Sequence, residues 1–261
     1  MAPIDLALAV DTARQAVAAA ARASLPYFRP DVAVETKPDR SPVTAADRES
    51  EAAILAILRR AFPDASILAE ESGLSAGRPD LRWLVDPLDG TRGFTRGGSF
   101  WGPLVALEYA GEIVAGAMAM PALGPRATYW AGRGMGAFRD GARLRVSAVA
   151  DWRDAVLSMG ELHKLLADPW GEAVRAIATS SATARCYGDL AGCAMVLDGR
   201  AEAFLEAGVQ AWDLGPYPVL VREAGGRYED FRGGADVAAG NCIASNGLVH
   251  DAIAARIHSV R

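Results

Sequence analysis

Residues 83–91 read Trp-Leu-Val-Asp-Pro-Leu-Asp-Gly-Thr: a hydrophobic strand runs into two carboxylates, a turn and a hydroxyl. Residues three apart point to opposite faces of a straight strand, so Asp86 and Asp89 can meet only if Pro87 bends the chain. Two carboxylates held close together repel each other unless a cation lies between them. Oxygen ligands of this kind suit a hard divalent ion such as Mg²⁺. The stretch therefore predicts a metal-binding loop at the end of a strand.

The last two residues of the stretch, Gly90 and Thr91, predict an anion site beside the metal. Backbone N–H groups at the start of a helix have no partner within the helix, and they bind phosphate readily. One loop would then hold a metal ion and a phosphate group side by side.

Composition limits the classes of partner. The 261-residue chain is 51% hydrophobic, so it can bury a sizeable core as one large domain or two lobes. Its net charge of -5 argues against a nucleic-acid partner, which needs a basic face. Three cysteines without a Cys-x-x-Cys pair are typical of reduced thiols in a cytoplasmic protein. No apolar run approaches the roughly 20 residues that span a membrane, so no membrane partner is predicted.

The order of predicted helices and strands indicates a mixed α+β protein with two lobes, residues 1–146 and 147–261. The N-terminal lobe has two predicted helices and then glycine-punctuated apolar runs over 102–144, which favour an antiparallel meander. In the C-terminal lobe, strands alternate with helices at 190–197 and 214–224.

Three further acidic residues stand at the ends of predicted elements. Glu70 follows a short strand, Asp213 lies where a loop becomes a helix, and Asp47 is in the first turn of a helix. Taken alone, Asp213 is typical of an N-cap and Glu70 of a solvated surface acid. The combination of Glu70 and Asp213 with residues 83–91 favours a shared metal site.

Several short motifs make the chain resemble the inositol monophosphatase superfamily of metal-dependent phosphomonoesterases. The main signature of that family, W-x-(I/V)-D-P-(I/L)-D-G-T, is present as residues 83–91. The other motifs follow in the family's order: V-T-x-x-D at 43–47, G-E-E-S at 69–72 with alanine for the glycine, W-D-x-(A/G) at 212–215, Glu-Ala-Gly-Gly at 223–226 and Ala-Ser-Asn-Gly at 244–247. The resemblance covers nearly the whole chain and implies a layered αβαβα sandwich.

The resemblance also implies a cofactor and a role for each matching residue. Mg²⁺ would be bound as two or three ions per active site, and the protein would be a lithium-sensitive homodimer. The implied metal ligands are Glu70, Asp86, Asp89 and the carbonyl of Leu88 for the first ions, Asp213 for the second site, and Asp47 through water for a weaker third ion. Thr91 would align the attacking water, with Asp47 or Glu70 as proton acceptor. The N–H groups of Gly90 and Thr91 would hold the phosphate.

Residues that face the alcohol part of the ester decide the substrate. Residues 185–189 read Arg-Cys-Tyr-Gly-Asp. The inositol enzymes tend to have a small hydroxyl residue where Asp189 stands, whereas the histidinol-phosphate type tends to have R-x-x-G-D. Histidinol phosphate carries an ammonium group and an imidazole, for which Asp189 and Glu206 supply acceptors and negative charge. The predicted substrate is L-histidinol phosphate, hydrolysed to L-histidinol, and the predicted substrate-binding residues are Gly90, Thr91, Arg185, Asp189, Glu206 and Asp213.

Alternatives stay open at this point. Asp189 is also suited to cap the helix at 190–197. Inositol-1-phosphate or a range of sugar phosphates would suit Glu206 as well, while a 3'-phosphoadenosine nucleotidase is disfavoured because the sequence shows no basic cluster for a second phosphate. Residues 73–77 match the G-x-S-x-G pattern of serine hydrolases, but no helix follows, so a glycine loop at the rim of the site is favoured. A non-catalytic binding protein would have lost a metal ligand, and every predicted carboxylate is present.

Overall fold

The computed structural model describes residues 4–29, 31–124, 127–167 and 169–260. The α-helices in these ranges are α1 (Leu6–Ser24), α2 (Ala45–Ala61), α3 (Thr91–Phe94), α4 (Leu162–Leu165), α5 (Gly171–Ser180), α6 (Asp189–Leu197), α7 (Ala211–Leu214), α8 (Tyr217–Glu223) and α9 (His250–His258). The strands are β1 (Glu35–Thr36), β2 (Pro42–Val43), β3 (Ala65–Ala69), β4 (Gly73–Ser75), β5 (Arg78–Asp89), β6 (Gly102–Tyr109), β7 (Glu112–Ala119), β8 (Thr128–Gly132), β9 (Gly136–Arg139), β10 (Ala142–Arg143), β11 (Val156–Met159), β12 (Thr183–Arg185), β13 (Ala203–Ala207), β14 (Arg227–Glu229) and β15 (Asn241–Ser245).

The strands form two main sheets and one short antiparallel pair, β1 with β2. The large sheet, within the described ranges, has the order β10-β9-β8-β7-β6-β5-β3-β4, and the small sheet has the order β12-β11-β13-β15-β14. Successive strands from β5 to β10 pair antiparallel, which confirms the predicted meander. In the small sheet, β11 runs parallel to β12 and β13, while β15 runs antiparallel to β13 and β14.

Helices cover the sheets in layers. Helices α1 and α2 pack on one face of the large sheet, and α6, α7 and α8 lie against its other face. Helices α6 and α8 also contact the small sheet, whose far face is covered by α5 and α9. The result is the layered αβαβα sandwich that the family resemblance implies, with one hydrophobic core between the two sheets and one beneath each outer helix layer.

The middle core joins the two sheets. It contains Leu84 and Leu104 from the large sheet, Phe204 from the small sheet, and Leu190 and Leu220 from the helices between them, all buried. The division into lobes at 146/147 stays a prediction, since this core belongs to both sides of that boundary.

Two local predictions differ from the structure. The helix predicted over 214–224 is interrupted, because Pro216 has no N–H to continue the hydrogen-bond ladder of α7, and α8 starts afresh at Tyr217. The glycine loop predicted over 73–77 is instead an edge strand at Gly73–Ser75, paired antiparallel with β3. Among the described helices, none is long and apolar enough to cross a membrane.

Candidate active site

The bend predicted at the end of β5 is a β-bulge. Along β5, Trp83 and Val85 face the core beneath α1 and α2, so Leu84 and Asp86 face the middle layer. In the pairing with β6, Asp86 lies opposite Leu104 and Asp89 opposite Gly102, so three steps on β5 match two on β6. The extra residue reverses the alternation. Asp86 and Asp89 therefore both turn towards the middle layer, where they line one cavity.

That cavity has a volume of about 490 Å³ and collects residues from both sheets. It is lined by the predicted residues Glu70, Asp86, Leu88, Asp89, Gly90, Thr91, Asp189, Glu206 and Asp213. The large sheet supplies the ends of β3 and β5, the small sheet supplies Glu206 on β13, and α6 and α7 supply Asp189 and Asp213. The fold thus brings together predicted metal ligands that lie up to 143 positions apart in the chain, from Glu70 to Asp213.

Asp47 reaches this cavity through Thr91. At the start of α2, the backbone N–H and the hydroxyl of Thr44 donate to Asp47 Oδ2 at 2.7 and 2.6 Å. The other carboxylate oxygen, Oδ1, lies 3.0 Å from Thr91 Oγ1, which is also 2.9 Å from the carbonyl oxygen of Leu88. A hydroxyl has one proton for these two acceptors. Thr91 is therefore oriented by Asp47 and by the loop itself.

The carboxylates of the cavity are electrostatically unfavourable as they stand. Burial raises the pKa of Asp86 well above its ordinary value, and the charges of Glu70, Asp89 and Asp213 raise it further. Burial likewise raises the pKa of Asp89 well above its usual range, and it also raises those of Glu70 and Asp213. A bound cation would reverse these shifts, because it favours the ionised carboxylates.

The sequence prediction does not include Lys37, which is a cation at this site. Its Nζ lies 2.9 Å from Glu70 Oε1 and 2.6 Å from Glu71 Oε1. Burial opposes its charge, but the hydrogen bonds to Glu71 and Glu70 outweigh burial and raise the pKa of the ammonium group. A single lysine in a polar stretch carries no sequence signal for this role.

In the part of the chain that the structure describes, no group of three or more His, Cys, Asp and Glu side chains stands in metal-coordinating geometry. Protein donors hold the carboxylates instead. Glu70 faces Lys37, Asp89 accepts the N–H of Leu190 at 2.7 Å, and Asp213 accepts the N–H of Gln210 at 2.7 Å. The donor set nevertheless fits Mg²⁺ in its chemistry, since it consists of oxygens and combines buried carboxylates with the carbonyl of Leu88.

The alcohol side of the cavity is acidic as well. Burial raises the pKa of Asp189 to about 6, with a further contribution from the charge of Glu161. Burial raises the pKa of Glu206 to about 8, although the N–H groups of Glu161 and Ala207 donate to its Oε1 at 2.8 and 3.1 Å. The carboxylate of Asp189 does not cap α6, whose N-cap is Gly188. The alternative capping role of Asp189 is therefore wrong.

Arg185 is not brought to the cavity. It ends β12 with an exposed side chain, and its guanidinium donates to the carbonyl oxygen of Ala184 at 2.9 Å. The cavity lining, as far as the chain is described, includes Glu161 and Lys164 on this side but not Arg185. Neither Glu161 nor Lys164 belongs to a motif, so the sequence offered no means of finding them.

A layered α+β sandwich whose two sheets share a carboxylate-lined cavity defines a phosphatase fold and site. Residues 5–261 match the inositol monophosphatase family, and the chain belongs to that family. It is a phosphatase of a family that is generally metal-dependent.

Individual relatives agree with the family assignment. Three curated proteins named histidinol-phosphatase are 35–38% identical; that of Mycobacterium tuberculosis is 38% identical over 234 residues, 88% of this chain and 89% of that protein. An inositol-1-monophosphatase of Mesorhizobium japonicum is 36% identical over 216 residues, 81% of this chain and 80% of that protein. The crystal structure of extragenic suppressor protein suhB from Bartonella henselae superposes with a TM-score of 0.85 at 32% identity, covering 95% of this chain and 97% of that one.

Proposed function

We propose that this protein is a Mg²⁺-dependent phosphomonoesterase that hydrolyses L-histidinol phosphate to L-histidinol. The observation that carries the substrate assignment is the position of Asp189, whose half-buried carboxylate shares one cavity with Glu206 and the loop at 86–91. The similarity to proteins named histidinol-phosphatase supports the same substrate.

The proposed metal ligands are Glu70, Asp86, Asp89, Asp213 and the carbonyl of Leu88, with Asp47 acting through water. When bound, two or three Mg²⁺ ions would neutralise the buried carboxylates, hold the phosphate and activate water. Because Mg²⁺ lowers the pKa of water less than Zn²⁺ does, a carboxylate base is still required.

The chain itself supplies the proton path and the phosphate contacts. Thr91 Oγ1 lies 3.0 Å from Asp47, so its hydroxyl can accept a hydrogen bond from the attacking water while it donates to Asp47. Asp47 then takes up the proton, with Glu70 as the alternative acceptor. The N–H groups of Gly90 and Thr91, at the start of α3, would donate to phosphate oxygens.

The acidic alcohol side favours a cationic leaving group. Burial disfavours the negative charge of Asp189 and Glu206, because it raises the pKa of both carboxyl groups. An ammonium group placed between them would restore that charge and form charge-assisted hydrogen bonds. A neutral polyol gains less, since it would leave the carboxylates without a counter-charge.

A second candidate function is hydrolysis of inositol-1-phosphate or of a range of sugar phosphates. Glu206 favours it, because a buried carboxylate also accepts hydrogen bonds from hydroxyl groups. The relative named inositol-1-monophosphatase supports this reading. In either case we expect a lithium-sensitive homodimer, as the family resemblance implies, and the three cysteines favour the cytoplasm.

The deciding experiment is phosphate release with Mg²⁺ from four esters: L-histidinol phosphate, inositol-1-phosphate, fructose-1,6-bisphosphate and 3'-phosphoadenosine-5'-phosphate. We expect kcat/KM for histidinol phosphate to exceed the others by about a hundredfold, or about 2.7 kcal/mol of transition-state discrimination. A higher kcat/KM for inositol-1-phosphate, or similar kcat/KM values for all four esters, would reject histidinol phosphate as the preferred substrate. Phosphate release that persists in EDTA would reject the proposed dependence on Mg²⁺.

A further inference from the structure

A second, basic cavity opens beside the acidic one. It has a volume of about 340 Å³, and we call it the arginine cavity; its lining residues are Val34, Thr36, Arg40, Pro42, Arg92, Thr95 and Arg96. Pro42 and Arg92 line the active-site cavity too, so the two cavities are neighbours. Arg40 lies in the loop between β1 and β2, whereas Arg92 and Arg96 lie in and just after α3, so the cluster forms only when these two segments meet.

The positive charge of this cavity is not neutralised by the protein. Among the described residues, no Asp or Glu oxygen lies within 4.0 Å of the guanidinium groups of Arg40, Arg92 or Arg96, whereas nine other arginines of the described chain pair with a carboxylate. The nearby acids are engaged elsewhere: Glu35 pairs with Arg48 at 2.6 Å, and Asp39 accepts from Ser41. In a chain of net charge -5, three cations without a carboxylate partner around one cavity favour the binding of an anion there.

Hydrogen bonds to backbone carbonyls hold Arg92 and Arg96 in place. The guanidinium of Arg92 donates to the carbonyl oxygen of Arg40 at 3.1 Å, and that of Arg96 donates to the carbonyl oxygen of Arg92 at 2.8 Å. Each of these bonds uses one of the five N–H donors of a guanidinium group, so the other N–H groups can donate to a bound anion.

Arg40 is also kept in an unfavourable backbone conformation. Its φ is +69°, in the left-handed region where glycine is the usual residue. An arginine at this position adds strain that a glycine would avoid, while it places a third positive charge at the cavity.

We propose that the arginine cavity binds a phosphate group that is distinct from the one hydrolysed in the active site. Planar guanidinium forks match phosphate oxygens in pairs, and three cations suit a dianion better than a carboxylate. The phosphate has two possible sources. It is either free inorganic phosphate or the second phosphate group of a bisphosphorylated ester whose first phosphate lies on the loop at 86–91.

The first experiment measures binding without turnover, so it does not depend on the proposed function. Inorganic phosphate is titrated calorimetrically into the metal-free protein in EDTA, where the acidic active site repels anions. The variants are Arg40→Gly, which suits the left-handed backbone, and Arg96→Gln. The control, Arg153→Gln, removes the same charge from an 83% exposed side chain paired with Asp151.

We expect the wild-type chain and the Arg153→Gln control to bind one phosphate per chain. Each cavity variant should bind about tenfold more weakly, since it loses a charge-assisted hydrogen bond. Absence of binding in the wild type, or equal affinity in all four proteins, would overturn the proposal. Thermal melting of each variant verifies that it is folded.

A second experiment separates the two sources. With Mg²⁺ present, kcat/KM for fructose-1,6-bisphosphate is divided by kcat/KM for inositol-1-phosphate, in the wild type and in Arg96→Gln. A tenfold fall in this ratio assigns the cavity to the second phosphate of a substrate. An unchanged ratio with weakened phosphate binding assigns it to free phosphate. If only histidinol phosphate is hydrolysed, the cavity is assigned to free phosphate. If no ester is hydrolysed, the proposed function fails while the binding result still decides the arginine cavity.

Discussion

Asp189 has a φ of +43°, a left-handed conformation that a non-glycine residue rarely adopts, and asparagine and aspartate tolerate it best. The substitution Asp189→Asn therefore removes the charge with little change to the backbone. We predict a 10- to 100-fold loss in kcat/KM for histidinol phosphate, about the value of a hydrogen bond to a charged group, and a loss below about threefold for inositol-1-phosphate. Steady-state kinetics on both esters measure this. Equal losses would mean that Asp189 has only a structural role.

Asp86 tests the metal assignment. Asp86→Asn should lower turnover at saturating Mg²⁺ by about a hundredfold or more, because it removes a ligand and its charge. In EDTA its melting temperature should equal or exceed that of the wild type, since burial and neighbouring carboxylates raise the pKa of Asp86 and disfavour its charge. Asp213→Asn should behave in the same way. Full activity in either variant would contradict the assignment.

Glu206 predicts how the stability of the metal-free protein depends on pH. Burial raises its pKa from an ordinary value of 4.5 to about 8 in the folded state. Below pH 4.5 the Glu206 carboxyl group is protonated in both the folded and the unfolded chain. As the pH rises towards 8, only the unfolded chain loses this proton. The free energy of unfolding therefore falls, by a few kcal/mol at most. Melting curves in EDTA across this range should show a shallower decline for Glu206→Gln. Identical slopes would show that Glu206 does not titrate in this way.

At the scale of the element, the start of α2 links stability to catalysis. The hydroxyl of Thr44 donates to Asp47, which in turn contacts Thr91. Thr44→Val keeps the shape but removes the hydroxyl, so we predict a loss of about 1–2 kcal/mol in the free energy of unfolding and a several-fold loss in kcat. Thr44→Ser, the control, loses a methyl group but keeps the hydroxyl, so its kcat should stay near that of the wild type. A Val variant with unchanged kcat would exclude a role for Asp47 in orienting Thr91.

Elements also show how far the sequence could predict this site. Residues 83–91 predict the bend because local chemistry decides it: a proline and two carboxylates at the end of an apolar strand, realised as the bulge opposite Leu104 and Gly102. The same local signals do not reveal Lys37 or the arginine cavity, since both depend on loops that meet only after folding. For Arg185 the sequence predicts a role that the structure does not support. It belongs to the R-x-x-G-D pattern at 185–189, but it ends the edge strand β12 with its side chain exposed.

The whole molecule should unfold as one unit. The middle core contains residues from both sheets, so neither sheet can separate without exposing it. We predict a single transition in calorimetry, with equal calorimetric and van't Hoff enthalpies. Mg²⁺ at a hundred times its dissociation constant should stabilise the folded state by about 2.7 kcal/mol, and it should not do so in Asp86→Asn. Two resolved transitions would contradict the shared core.

The position of β13 in the small sheet has a consequence for biosynthesis. Glu206 lies on β13, which is flanked by β11 and β15. In the pairing of β13 with β15, Glu206 lies opposite Cys242. A ribosome therefore makes the loop at 86–91 long before it makes the strand that completes the sheet around Glu206. A nascent chain would carry the acidic loop well before it could select a substrate. Premature termination before residue 241 would accordingly release an unspecific, poorly folded fragment rather than a working enzyme.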